Sequence, residues 1–224
     1  STTLIPQTEG RQTMQNILIV GAHYDDAELG CGGTAAKLAA EGKNVYKLTL
    51  TNNVTKFSQM NIHVLYETSV KESAKACEVL GINEITDFEP TECCQLFYST
   101  EIMQRVEDVI YKHHIDTVFM HYTDDLNQDH IAASKICITA ARHCDNVFLY
   151  QSNLYVLPHP FAPTCFFDIS DYIRKKKEAL CQYTGDHNRF NSLFETNIQR
   201  NKVWGYANKV EYAEGFIAQK ILMR

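Results

Sequence analysis

Asn16-Ile17-Leu18-Ile19-Val20-Gly21-Ala22-His23-Tyr24-Asp25-Asp26-Ala27-Glu28 decides the fold. Its first half is a short aliphatic run ending in Gly21, the pattern of a strand buried on both faces. Its second half sets a histidine and three carboxylates where the strand gives way to a helix. Residues 28–41 carry Leu29, Ala35, Leu38 and Ala39 at helical spacing, with Gly42 just past the end. Residues 45–51 alternate Val45, Lys47 and Thr49 against Tyr46, Leu48 and Leu50, and predict a second strand. The alternation continues with a helix over 68–80 closed by Gly81, a short strand near 85–88 and a helix over 100–114 with Thr100 as N-cap. A strand at 116–121, a helix at 129–144 and a strand at 146–150 follow. Residues 52–61 read as a loop, 170–183 as helix, and 211–216 as strand or loop. Strands alternating with helices make βαβ units, hence an α/β fold with a mainly parallel sheet.

Composition sets the frame for this reading. The 224 residues are 45% hydrophobic and 21% charged, which excludes collagen-like, coiled-coil and disordered chains. One sizeable core fits this length, so a single domain spanning 1–224 is expected, with a polar extension at 1–15. A net charge of −6 offers no footprint for nucleic acid. The eight cysteines are spread along the chain without a Cys-x-x-Cys pair. They read as reduced, mostly buried thiols of a cytoplasmic protein. The polar start predicts no signal peptide, and Ile17–Val20, the longest aliphatic run, predicts no membrane insertion.

Two segments lie just beyond strand ends, where open parallel sheets bind ligands. One is residues 22–28. The other is His121-Tyr122-Thr123-Asp124-Asp125-Leu126-Asn127-Gln128-Asp129-His130. So many carboxylates beside three histidines call for a compensating charge, and a divalent cation is the simple one. Two imidazoles and a carboxylate suit zinc with a position left for water. His23, Asp26 and His130 are the candidate ligands, and Asp25 the candidate general base. The plainer reading of 23–26 is a polar turn with a helix cap. Gly30-Cys31-Gly32-Gly33 lacks the dinucleotide-binding spacing and reads as close helix packing.

Residues 21–34, Gly-Ala-His-Tyr-Asp-Asp-Ala-Glu-Leu-Gly-Cys-Gly-Gly-Thr, resemble the His-Pro-Asp-Asp signature of the LmbE/PIG-L-like deacetylases. Asp125-Leu126-Asn127-Gln128-Asp129-His130 resembles that family's second signature. Glu72 to Gly81 matches its helix ending in Leu-Gly. Weaker matches at 167–170, 177–183 and 212–216 resemble a bacterial sub-branch, so the likeness spans about residues 16–217. It implies a Rossmann-like sheet with helices on both faces and a less regular part, 151–224, completing the pocket. It further implies hydrolytic removal of an N-acetyl group from an amino sugar or its conjugate. Zinc, or another divalent transition metal, would sit on His23, Asp26 and His130. Asp25 would serve as base, and Asp129 would orient a neighbour. A homo-oligomer is a family trait carried along with the rest.

Three departures from the family pattern stand out. Tyr24 replaces a proline. Asn127 stands where many members have an oxyanion-stabilising histidine, and remains the catalytic candidate there. Ser69 replaces an arginine at the pocket rim. Asp125, His159 in the 157–161 loop and Arg189 in the 185–190 loop are the candidate substrate contacts, with His187 beside the last. His121 reads as a supporting group, Lys175-Lys176-Lys177 as a solvated helix face, and Cys93-Cys94 as uninvolved in catalysis. The competing classes are a receiver-like module gathering carboxylates around magnesium, and a family fold that has lost activity.

Overall fold

The computed structural model describes residues 14–57, 62–184 and 190–223. Its elements run β1 (Asn16–Gly21), α1 (Asp26–Ala40), β2 (Asn44–Thr49), β3 (Thr55–Phe57), β4 (Ile62–Val64), α2 (Tyr66–Leu80) and β5 (Asn83–Glu84). Then come α3 (Thr100–Lys112), β6 (Thr117–His121), α4 (Gln128–Ala140), β7 (Asn146–Tyr150) and β8 (Cys165–Asp168). A 3₁₀ turn (Ser170–Tyr172) enters α5 (Ile173–Leu180), a π turn (Phe190–Phe194) enters α6 (Glu195–Ala207), and β9 (Ala213–Ile221) ends the chain's regular structure.

The main sheet has the order β5-β2-β1-β6-β7-β9-β8. Its first five strands are parallel, while β9 runs antiparallel to both β7 and β8. The order reverses beside β1, and the crevice beyond β1 and β6 is where such sheets bind ligands. The period of two along the strands sorts the side chains into two cores. Ile17, Ile19, Phe119 and Phe148 pack under α1, α2 and α5. Leu18, Val20, Val118, Met120 and Leu149 pack under α3 and α4. Helices on both faces are therefore a direct outcome of strands that are apolar on both.

Gly30 shows why α1 opens with glycines: a Cβ there would lie 2.1 Å from Cδ2 of Tyr150 on β7. Only a bare backbone lets α1 lie so close to the sheet. Other boundaries differ from the sequence expectation. Residues 55–57, inside the expected 52–61 loop, form β3, which pairs antiparallel with β4 at 62–64. The short strand falls at 83–84 instead of 85–88. Ser99, not Thr100, caps α3, its hydroxyl accepting from Ile102 N at 3.2 Å. Residues 211–216 resolve into the start of β9, which pairs on both sides inside the sheet.

Lys176 corrects the solvated-face reading of 175–177. It is fully buried, and Nζ donates to Leu29 O at 2.8 Å and to Glu214 Oε1 at 2.6 Å. Glu214 in turn accepts from Gly33 N and Thr34 N in the middle of α1. All eight cysteines are free thiols, with Cys31, Cys77, Cys137 and Cys144 buried. No helix among the described residues is long and apolar enough to cross a membrane.

Candidate metal centre

The first loop leaves β1 at Gly21 and is pinned atom by atom. Ala22 N lies 3.0 Å from His121 Nε2, and His23 N donates to Asp26 Oδ2 at 2.7 Å. Tyr24 O accepts from two buried donors, Lys47 Nζ at 2.5 Å and Tyr183 OH at 2.7 Å. Asp25 is the N-cap residue of α1, and Asp26 begins its first turn. In the second loop Asp125 Oδ1 accepts from Asn127 N at 2.9 Å. Asn127 Oδ1 then caps α4, accepting from Asp129 N at 2.9 Å and His130 N at 3.4 Å.

Both loops converge. His23 Nδ1 lies 3.3 Å from His130 Nε2, Asp26 Oδ1 lies 3.3 Å from the same nitrogen, and Asp26 Oδ2 lies 3.4 Å from His23 Nδ1. A tetrahedral ion with bonds of ~2.0–2.1 Å sets its ligand atoms ~3.3–3.4 Å apart. The outer ring nitrogens meet carboxylates: His130 Nδ1 is 3.2 Å from Asp125 Oδ2, and His23 Nε2 is 3.1 Å from Asp129 Oδ2. Outer protons given to those acids turn both inner lone pairs toward one point, the arrangement of metal-ligating histidines. These three residues fit a zinc-type ion.

Charge points the same way. Burial works against protonating His130, yet Asp26 and Asp125 hold its pKa up at about 9. His23 is likewise held well above its usual range, against burial, by Asp129 and Asp26. Burial alone would raise Asp26, but His130 and His121 hold it well below the usual carboxylate range. The carboxylates thus draw positive charge into the centre, which a divalent cation supplies without protons. His121 is fully buried and stacks on His130, with centroids 4.0 Å apart and an interplanar angle of 15°. It braces the His130 ring from behind.

The centre opens into a cleft of about 230 Å³. Asp25 and Asn127 reach its wall beside His23 and Asp26, and Asn53, Thr55 and Val64 form the hairpin side. Cys93, Cys94, Asn153 and Tyr155 complete it. Asp129 and Asp125 stand behind the two histidines instead. His159 is mostly exposed, its Nδ1 3.3 Å from Asp124 Oδ2, and is not among the lining residues. Arg189 and His187 lie outside the described residues. Sequence reasoning passed over Cys93 and Cys94, which the segment after β5 brings beside His23 and Asp129. A second cleft, of about 200 Å³, lies against Ile110, His114 and Cys144 at the opposite strand ends. No three-ligand group forms there among the described residues.

Known proteins share this framework. The chain is 28% identical over 185 residues to the diacetylchitobiose deacetylase of Thermococcus kodakarensis, covering 75% of this chain and 68% of that one. The N,N′-diacetylchitobiose deacetylase of Pyrococcus horikoshii superposes with a TM-score of 0.80 at 19% identity, over 92% of this chain and 84% of that one. GalB of Pseudomonas putida, a 4-carboxy-2-hydroxymuconate hydratase, superposes with a TM-score of 0.76 at 19% identity, over 94% and 98%. Those two likenesses carry the fold, and the fold hosts more than one reaction. Residues 18–141, which include both of the converging loops, match the GlcNAc-PI de-N-acetylase profile, and the chain belongs to that PIG-L family.

Proposed function

We propose that this protein is a zinc-dependent hydrolase that removes the N-acetyl group of an amino sugar or an amino-sugar conjugate. The observation that carries the reading is the His23–Asp26–His130 triad, whose ligand-type atoms lie within 4.8 Å of one another, with both imidazoles held from behind by carboxylates. A bound zinc ion supplies Lewis acidity and brings the pKa of water to about 7. Asp25, at the wall of the cleft, takes a proton from the attacking water and returns one to the departing amine, so that amide and water become acetate and amine. Asn127 offers its side-chain amide to the oxygen that gains charge, while its carbonyl oxygen stays on the helix cap. Asp129 and Asp125 hold the two imidazoles in the tautomers that ligation requires. The neutral side chains of Asn53, Thr55, Asn153 and Tyr155 suit sugar hydroxyls.

A panel of N-acetylated amino sugars, assayed for acetate with and without chelator, tests this. Acetate release that chelation abolishes and zinc restores supports the reading. A protein that binds magnesium through oxygen alone, or adds water to a carbon–carbon double bond without releasing acetate, overturns it.

A further inference from the structure

The ring of His23 has two chemically different neighbours. Nδ1 faces Asp26 and His130, while Nε2 faces Asp129 Oδ2 at 3.1 Å. Cys93 Sγ lies 3.9 Å from that same oxygen, and one ligand atom each from His23, Cys93 and Asp129 falls within 4.8 Å of the other two. Bonds of ~2.3 Å to sulfur and ~2.1 Å to oxygen set the two ligand atoms of a tetrahedral ion ~3.6 Å apart. The observed sulfur–oxygen edge is a few tenths of an ångström longer than that. The thiol is also held in place. Cys93 N donates to Asn52 Oδ1 at 3.1 Å, and Cys94 N donates to Asp129 Oδ2 at 2.7 Å. Upstream, Thr91 N and Asn52 N tie the same segment to the strand end through Leu50 O and Thr91 O. A second sulfur, Cys94 Sγ, follows at 3.7 Å from the first.

We propose that His23, Cys93 and Asp129 form a second cation site, for a thiophilic divalent metal such as cadmium or excess zinc, whose occupation blocks the cleft. On binding, the Cys93 S–H and the His23 Nε2–H each release a proton to solvent as sulfur–metal and nitrogen–metal bonds form. Asp129 contributes a carboxylate oxygen already ionised, and no electrons are transferred. His23 then bridges two cations and gives up the hydrogen bond to Asp129 that orients it. Loss of two protons and that bond makes this the weaker of the two sites. Its thiolate makes it the one that discriminates soft metals from hard ones. The site shares His23 with the centre proposed above, and the inhibitory consequence rests on that reading, whereas the site itself does not.

Metal-free protein titrated with cadmium, followed in the near ultraviolet, tests the assignment. The first equivalent should bind without a thiolate-to-metal charge-transfer band. The second should bring the band and the loss of acetate release. Cys93→Ser should bind one equivalent and show no band. Iodoacetamide mapping of the wild type gives the same answer without a variant: the second equivalent should abolish labelling of Cys93 and spare that of the exposed Cys181. A second equivalent without a band, a band that survives Cys93→Ser, or a band at the first equivalent overturns the proposal. Acetate release without a band sinks the second site alone, and a band without acetate release from any substrate sinks the deacetylase reading alone.

Discussion

Lys47→Met is expected to destabilise the protein by about 3–5 kcal/mol, the usual cost of removing one partner from a buried ion pair. Lys47 is fully buried on β2, and Nζ lies within hydrogen-bond distance of four oxygens that share its three protons: Glu28 Oε1 at 2.7 Å, Ser73 Oγ at 2.8 Å, Tyr183 OH at 2.9 Å and Tyr24 O at 2.5 Å. Methionine fills the stem's volume and removes every one of those donors. Glu28, also fully buried, is left with no counter-charge, and its Oε2 already has no hydrogen-bond partner. Burial pushes the Glu28 carboxyl upward even with Lys47 beside it. In the variant the acid is therefore raised further above its unfolded value. A raised acid stabilises the fold at low pH and loses that contribution as pH rises, so the deficit should be smaller at pH 5 than at pH 8. For 224 residues, at roughly 2 °C per kcal/mol, the midpoint should fall by about 6–10 °C. Urea and thermal unfolding at both pH values measure this. The double variant Lys47→Met/Glu28→Leu should recover most of the loss, because a buried pair exchanged for apolar side chains is close to neutral. A single variant within about 1 kcal/mol of wild type, or a double variant no better than the single, refutes the reasoning.

Asp25→Asn should keep the metal and lose about 10²–10⁴-fold in turnover, the worth of a positioned base; metal analysis beside acetate assays reads both, and undiminished turnover removes Asp25 from that role. In the chelated protein His130 titrates at about 9, above an unfolded value of ~6.5. Its stabilisation is complete below the unfolded value and lost as pH rises through the folded one, so the midpoint of metal-free protein should drop between pH 6.5 and 9.5. Zinc affinity should rise across the same window as the competing proton leaves; a flat midpoint and flat affinity contradict the assigned charges. Gly30→Ala places a Cβ 2.1 Å from the Tyr150 ring, whose hydroxyl is fixed to Val20 O at 2.8 Å. An overpacking cost of about 1–3 kcal/mol should appear in denaturant unfolding, and a neutral substitution there would show that α1 can slide on the sheet.

The parallel core and the convergence of His23, Asp26 and His130 were legible because each rests on local signals. Aliphatic runs predict strands buried on both faces, and two polar turns directly after such strands must share one crevice. Other features depend on contacts that spacing cannot express. The β3–β4 hairpin has only 3 residues per strand, too short for an alternation to register. Lys176 sits in a run of three lysines, and only its register on α5 against Glu214 of β9 distinguishes it from its neighbours. Cys93 and Cys94 reach His23 through a segment that has no regular structure of its own. Asn127 takes two positions at once that spacing did not reveal: it immediately precedes α4 and caps it through its side-chain oxygen, and it lines the cleft.

Ser69 carries the argument toward substrate. The family resemblance puts an arginine there, a charge suited to an anionic group at the pocket rim. In this chain Ser69 is buried on α2 and its hydroxyl accepts from Asn53 Nδ2 at 3.1 Å. Asn53, held in the left-handed region at φ 59°, lines the cleft in turn. This part of the wall presents a neutral amide fixed by a serine. Neutral amides discriminate by hydrogen-bond geometry rather than by charge, so this part of the cleft suits an uncharged sugar better than a phosphate-bearing one. Ser69→Arg should therefore shift KM in favour of anionic conjugates while leaving turnover of neutral acetylated sugars less affected. An equal loss on both classes would place the discrimination elsewhere in the cleft.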